Sequence, residues 1–297
     1  MTTPVYDTFI IGHLSHDRII YRSQEERLLG GAVLYASYAA AAGGNRVGLL
    51  TKLPAGDSAL LAEFNIPRED IRYTLTARPT AIRNEFLSDD RERRLCTALS
   101  VADPFAPAEL PDVSAGVYHL AGLIAGDFPG ELITALAARG KVAVDVQGFL
   151  RHAEEGELVF RDWPEKLTYL PYIDFLKTDA AEAEVMTGTA DRRQAARLLH
   201  GWGAKEVMIT HNTEAIVYDG ANFYAEPLLP ETLSGRTGRG DTCFSAYITE
   251  RGRAPIADAL LYAAALVSLK MGTPGPFRGR RADVEDFIRR VYRRPTR

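Results

Sequence analysis

Cysteine is scarce in this chain. Two residues in 297, Cys96 and Cys243, lie far apart and without metal-ligand spacing. That excludes a disulfide framework and a cysteine-built metal centre, and it predicts reduced thiols in a cytoplasmic protein. An excess of positive charge is missing as well. The 35 Lys and Arg against 39 Asp and Glu give a formal net charge of −4, which argues against general nucleic-acid binding. No apolar run approaches the ~18 residues of a membrane span, because 257–269 contains Asp258 and ends at Lys270. No basic segment precedes the first apolar run, so the N-terminus predicts a strand and not an export signal. Repeats and low-complexity tracts are absent too.

Hydrophobic residues make up 46% of the chain, enough to bury the core of one α/β domain. Short apolar runs at 6–11, 46–50, 117–120, 142–146, 175–177 and 207–210 predict strands. Helical patterns at 32–42, 130–138, 180–186 and 192–202 fall between them. That alternation predicts a mainly parallel sheet covered on both faces, with ligands beyond the carboxyl ends of its strands. The polar residues predicted there are Asp17, Asp145, Gln147, Arg151, Lys177, Asp179 and Thr210. Two charged stretches, 18–29 and 80–100, interrupt the rhythm and predict hairpins outside the main core, the second turning at 88–92. The expected organisation is a single domain over 1–297, with 18–29 and 80–100 forming a small lid sheet. A hairpin at 215–224 and helices at 255–270 and 282–292 complete it.

The most informative stretch is Gly235-Arg236-Thr237-Gly238-Arg239-Gly240-Asp241, followed by apolar residues at helical spacing. Such a turn delivers unpaired N–H groups and a positive dipole end to one place, which suits phosphate. It is not a P-loop, since no lysine follows the glycines. Nor is it a dinucleotide fingerprint, which needs its glycines in another order early in a βαβ unit. Asp241 is the odd residue. A carboxylate ~4 Å from a phosphate costs ~4 kcal/mol at an effective dielectric of ~20. A site that must deprotonate a hydroxyl attacking that phosphate would nevertheless need one.

Three segments, taken in order, resemble the ribokinase-like sugar kinases of the PfkB family. They are Gly30-Gly31 before an alanine-rich helix, Asp179-Ala180-Ala181-Glu182 after Lys177, and Thr237-Gly238-Arg239-Gly240-Asp241. The resemblance spans essentially the whole chain and implies a three-layer fold with a small β-lid. It implies transfer of the ATP γ-phosphoryl group to a hydroxyl of a sugar or cyclic polyol, with inositol as a lean from 145–151. Asp241 would be the catalytic base, with Gly238, Arg239 and Gly240 as the anion hole. Asp17, Gly30, Gly31 and Tyr35 would meet the acceptor; Lys177, Thr210 and Thr237 would meet ATP. Asp179 and Glu182 would hold Mg2+ through water. The chain would be a monomer or a homodimer through the lid, without nucleic-acid or membrane partners.

The departures from the family pattern limit that transfer. Tyr35 replaces a substrate-binding asparagine, Asp179 replaces the asparagine of N-x-x-E, and Arg239 replaces an alanine. Asn212 and Ala215 replace glycines of the nucleotide loop. Gly235 replaces an aspartate that in relatives helps bind an activating monovalent cation, so that activation is not carried over. Competing readings are a nucleoside kinase of the same family, a catalytically silent sugar- or nucleotide-binding regulator, and a dehydrogenase. Each site residue also has a purely structural role open to it. Asp241 could complement a helix dipole, Asp179 and Glu182 could be a solvated first turn, Asp17 could be a turn residue, and Gly30-Gly31 could be a tight helix entry. His13 and His16 lack a third metal ligand at fixed spacing. The arginines from 278 onward predict a solvated helix face.

Overall fold

The computed structural model describes residues 3–22, 24–87 and 94–293. The turn at 88–92, Arg294 and Arg297 lie outside the described residues. The strands, in chain order, are β1 (Val5–Ile11), β2 (Ser15–Tyr21), β3 (Gln24–Gly30), β4 (Val47–Leu53), β5 (Ile71–Leu75), β6 (Thr80–Phe86) and β7 (Arg94–Ser100). They continue with β8 (Ser114–Leu120), β9 (Lys141–Asp145), β10 (Arg151–Glu154), β11 (Glu157–Phe160), β12 (Phe175–Asp179), β13 (Glu206–Thr210), β14 (Glu214–Tyr218) and β15 (Phe223–Pro227). The helices are α1 (Ala32–Ala42), α2 (Gly130–Ala137), α3 (Gln147–Leu150), α4 (Lys166–Tyr169), α5 (Ala180–Thr187), α6 (Arg192–Gly201), α7 (Arg239–Glu250), α8 (Ile256–Met271) and α9 (Arg281–Phe287).

Nine strands form the main sheet in the order β15-β14-β13-β12-β9-β8-β1-β4-β5. Pairing is parallel from β13 through β5 and antiparallel only at the β13–β14–β15 end. A parallel sheet needs cover on both faces, and the strands are built for it: all seven residues of β4 are buried. Alternate residues feed two layers. Val142, Val144, Val207 and Ile209 pack with Leu132, Leu136, Ala195 and Leu199, under α2 and α6. Ala143 and Met208 point the other way, into a layer with α7 and α8. Alanines and Ser37 let α1 lie close beside α7, where Ser245 Oγ donates to the Ala36 carbonyl at 2.8 Å. The fold is three-layered. Among the described residues, no helix is long and apolar enough to cross a membrane.

A second, six-stranded sheet runs β10-β11-β7-β6-β2-β3. It contains 18–21 with 24–29, and 80–86 with 94–100, apart from the main sheet. It also takes in β10 and β11, where sequence reading had placed no strands. Asp17 therefore stands within β2 of this smaller sheet, not on the rim of the main one, and Arg151 is the first residue of β10. Sequence reading also missed β5, whose Ile71 and Leu75 flank the polar Arg72, Tyr73 and Thr74 and give only a short apolar signal.

Candidate active site

The glycine turn ends as expected in a helix. Gly238 adopts φ +75° as the residue before α7, and Asp241 lies in the first turn of α7. Its neighbours explain the glycines. A Cβ on Gly238 would fall 2.2 Å from the Tyr35 ring, and one on Gly240 would fall 3.2 Å from Lys177 Nζ. The turn is thus packed between a tyrosine from α1 and a lysine from β12, with its amides at a helix N-terminus.

Lys177 is buried and faces two carboxylates. Its ammonium donates to Asp145 Oδ1 at 3.1 Å, with Oδ2 at 3.0 Å, and lies 3.6 Å from Glu182 Oε2. Parallel register sets this up, because β12 and β9 pair Lys177 with Asp145. Burial alone would pull the lysine's pKa down. Asp145, Glu182, Asp179 and Asp241 outweigh it and hold the pKa above the ordinary lysine value. At ~3 Å and an effective dielectric of ~20, one such contact is worth ~5 kcal/mol of Coulomb energy. The desolvation of each ion, several kcal/mol, offsets it.

The carboxylates respond in the opposite sense. Burial pushes Asp241 up to about 6; Asp145 adds to the rise, and Lys177, Arg151 and Lys270 oppose it. Glu182 is raised to about 7, first by burial and then by Asp179 and Asp145, against the pull of Lys177. Glu182 has a second duty. Its Oε2 accepts from the Asp179 amide at 2.7 Å while its own amide donates to Asp179 Oδ1 at 2.8 Å, a reciprocal capping box on α5. Among the described residues no three His, Cys, Asp or Glu side chains cluster as a metal site. Asp179 and Glu182 each have one oxygen engaged in this cap, and Glu182 lies beside Lys177, so a magnesium ion here would keep its water shell. Thr210 pairs with Asp179 across β13 and β12, at the same level of the sheet.

On the other side of the turn stand the residues expected to meet an acceptor. Gly30 leaves room for Asp17: a Cβ there would fall 2.5 Å from Asp17 Oδ2. Gly31, at φ +99°, lies against the His13 carbonyl, where a Cβ would come within 2.4 Å. Burial pushes the Tyr35 phenol up, and the carboxylates of Asp17 and Asp241 push it further. Tyr35 is thus within electrostatic reach of both, and joins the two halves of the site.

A family model for the pfkB family carbohydrate kinases matches residues 9–279. The chain belongs to the pfkB family. A cytidine kinase from Thermococcus kodakarensis is 31% identical over 260 residues, covering 83% of this chain and 90% of that protein. A solved pyrophosphate-dependent kinase in the ribokinase family, complexed with a pyrophosphate analog and myo-inositol, is 34% identical with a TM-score of 0.85. The match covers 94% of this chain and 99% of that one. Arabidopsis thaliana ribokinase, solved with ribose and ATP, shares the fold at 17% identity and a TM-score of 0.73, over 97% and 99% of the two chains. This pfkB-family chain is a kinase with a ribokinase-like fold.

Sequence reasoning missed Lys270. It donates to the carbonyls of Gly235 and Thr237 and is completely buried. A signal was available: between Asp258 and Ser268 α8 is wholly apolar, and a lysine in the last turn of such a buried helix needs polar partners. Asp145 and Arg151 were placed on the rim without a role. The structure makes Asp145 the partner of Lys177 and puts the Arg151 charge within reach of Asp241.

Proposed function

We propose that the chain transfers the terminal phosphoryl group of ATP to a hydroxyl of a sugar or cyclic polyol, with Asp241 as general base. The observation that carries this is the placement of the Asp241 carboxyl in the first turn of α7, where the glycine turn meets the helix N-terminus beside buried Lys177 and Lys270; burial there pushes its pKa up to about 6. A base poised near neutrality is what proton abstraction from a hydroxyl needs. The acceptor oxygen attacks phosphorus as its proton passes to Asp241. The P–O bond to the leaving phosphate breaks, and that phosphate keeps the electron pair. The amides of Gly238, Arg239 and Gly240 take the charge on the phosphoryl oxygens, and Lys177 and Lys270 oppose the repulsion from Asp241. Asp17, Gly30, Gly31 and Tyr35 orient the acceptor, and the smaller sheet covers it as a lid that excludes water. Thr210 and Thr237 complete the donor side. Asp179 and Glu182 would hold magnesium through its water shell, and the ion would supply positive charge against the donor phosphates.

A second reading changes the donor and not the site. Pyrophosphate presents the same terminal phosphate, and the similarity to a pyrophosphate-dependent kinase complexed with myo-inositol favours testing it. The cytidine kinase similarity adds a nucleoside acceptor. The test is a grid of ATP and pyrophosphate against myo-inositol, fructose, ribose and cytidine, read by ³¹P NMR for a new phosphate ester. Ester from a polyol or sugar supports the proposal. Ester from cytidine alone moves the acceptor to nucleosides. Binding without ester in any combination makes the chain a silent regulator.

A further inference from the structure

Lys270 sits in a cage of neutral groups. Its ammonium donates to the Gly235 carbonyl at 2.5 Å and to the Thr237 carbonyl, and it lies 5.1 Å from the centroid of the Tyr35 ring. Two carbonyl oxygens and an aromatic face are surroundings suited to a bound cation. Here a side chain supplies the charge. The loop is laid directly on the end of α8 to reach it. Gly235 N donates to the Met271 carbonyl at 2.9 Å, and Ser234 Oγ donates to the Gly272 carbonyl at 2.6 Å. A Cβ on Gly235 would fall 1.8 Å from the Thr273 carbonyl oxygen, so only glycine permits this approach. Gly235 and Lys270 form one device.

An ammonium buried among neutral partners is costly, by several kcal/mol before compensation. A methionine would fill the same space without that cost. We propose that Lys270 is the positioning residue of the anion hole, a tethered cation that holds 235–238 in shape and lends positive charge to the transferring phosphoryl group. The loop-shaping part stands on geometry alone; the effect on rate rests on the phosphotransfer reading above.

The groups facing Lys270 are Asp241 and Arg239 from α7 and Tyr35 from α1. Burial pulls its pKa down to about 8, Asp241 holds it up, and Arg239 lowers it further. The charged form is therefore present below about 8, and kcat/KM should fall as pH rises through that value.

The test uses Lys270→Met and, should that variant fold poorly, Lys270→Gln. Deuterium uptake by 232–240 should quicken ~10-fold or more as the loop loses its staple. The melting temperature at pH 7 should change little, because the desolvation cost of a buried charge is removed while the Gly235 and Thr237 carbonyls lose their donor. Turnover should fall ~10²-fold, the scale of one anion-hole donor. Donor KM should rise, acceptor KM should stay, and the limb of the pH profile near 8 should vanish. In Lys270→Ala, which leaves the place of the ammonium empty, ammonium chloride should restore part of the rate and the slow exchange; tetramethylammonium, too large for the cage, should not. Unchanged uptake overturns the proposal. A lowered melting temperature in Lys270→Met together with no recovery of Lys270→Ala by ammonium also overturns it, making Lys270 a structural lysine. If the wild type phosphorylates nothing, the functional reading fails, while uptake still decides the role of Lys270.

Discussion

The two ends of the main sheet treat charge in opposite ways. At the amino ends of the strands, a cleft of about 630 Å3 is lined by Asp7, Asn45, Lys141, Thr249, Arg251 and Arg253, among others. The cations around that end meet carboxylates near solvent: Arg251 with Glu206 at 2.7 Å, Lys205 with Asp174 at 2.6 Å, Arg46 with Asp70 at 3.4 Å. At the carboxyl ends, Lys177, Glu182, Asp145 and Lys270 are all buried, and Asp241, Glu182 and Lys270 are pushed toward their neutral forms. A cleft marks one end and buried charge the other. Charge held where water cannot relax it is the better marker of a reactive site, and in the cleft Arg251 and Arg253 are already paired with Glu206 and Glu250.

Three substitutions sharpen or break this contrast. The largest effect belongs to Asp241→Asn, which should lower kcat by ~10²–10⁴-fold in steady-state kinetics. Its melting temperature should rise. The folded pKa of about 6 lies above the ordinary value of ~3.9, so the stability that protonation lends is complete below ~4 and lost as pH climbs through 6. The variant's advantage should therefore grow over that window. Near-normal turnover would remove the base from the proposed mechanism.

Next comes Lys177→Met, which leaves Asp145 and Glu182 buried without their shared cation. Chemical denaturation should show a loss of ~3–5 kcal/mol, as for other broken buried pairs. This contrasts with Lys270, whose partners are neutral and whose removal should not destabilise. Equal stability losses at the two lysines would erase the distinction between an ion pair and a caged cation.

The smallest effect is expected at the other end. Arg46→Ala removes a pair whose arginine is 57% exposed, so stability should change by no more than ~1 kcal/mol. Turnover should not change. A tenfold drop would mean that the amino-end cleft takes part in the chemistry.

The parallel sheet, its helices and the turn before α7 were legible because periodicity and glycine placement are local signals. Asp241 announced itself as a charge that an anion site should not want. The hairpin β10–β11 was not legible. Its residues, Arg151–Glu154 and Glu157–Phe160, are mostly charged or half-exposed and carry no core pattern. Asp17 was placed on the rim of the main sheet because Ser15-His16-Asp17 lacks apolar alternation; its strand is fixed by partners at 28 and 82. Lys270 and Asp145 needed the third dimension. The first is 35 residues from Gly235 and the second 32 from Lys177, and no motif links either pair.

The smaller sheet also bears on the order of folding. Its strands come from three excursions, 15–30, 80–100 and 151–160, each leaving the main sheet and returning to it. The parallel pairing of β2 with β6 joins residues 65 apart, Ser15 to Thr80 and Tyr21 to Phe86. Closing loops of that length is unfavourable until the ends are already held near one another. The main sheet does this holding, since β1 and β4, β5 and β8, and β9 and β12 bracket the excursions. The smaller sheet is therefore assembled late, on a scaffold already formed. For the same reason amide exchange in β2 and β6 is expected to be faster than in β1, β8 and β9, since the smaller sheet can open without the main sheet coming apart.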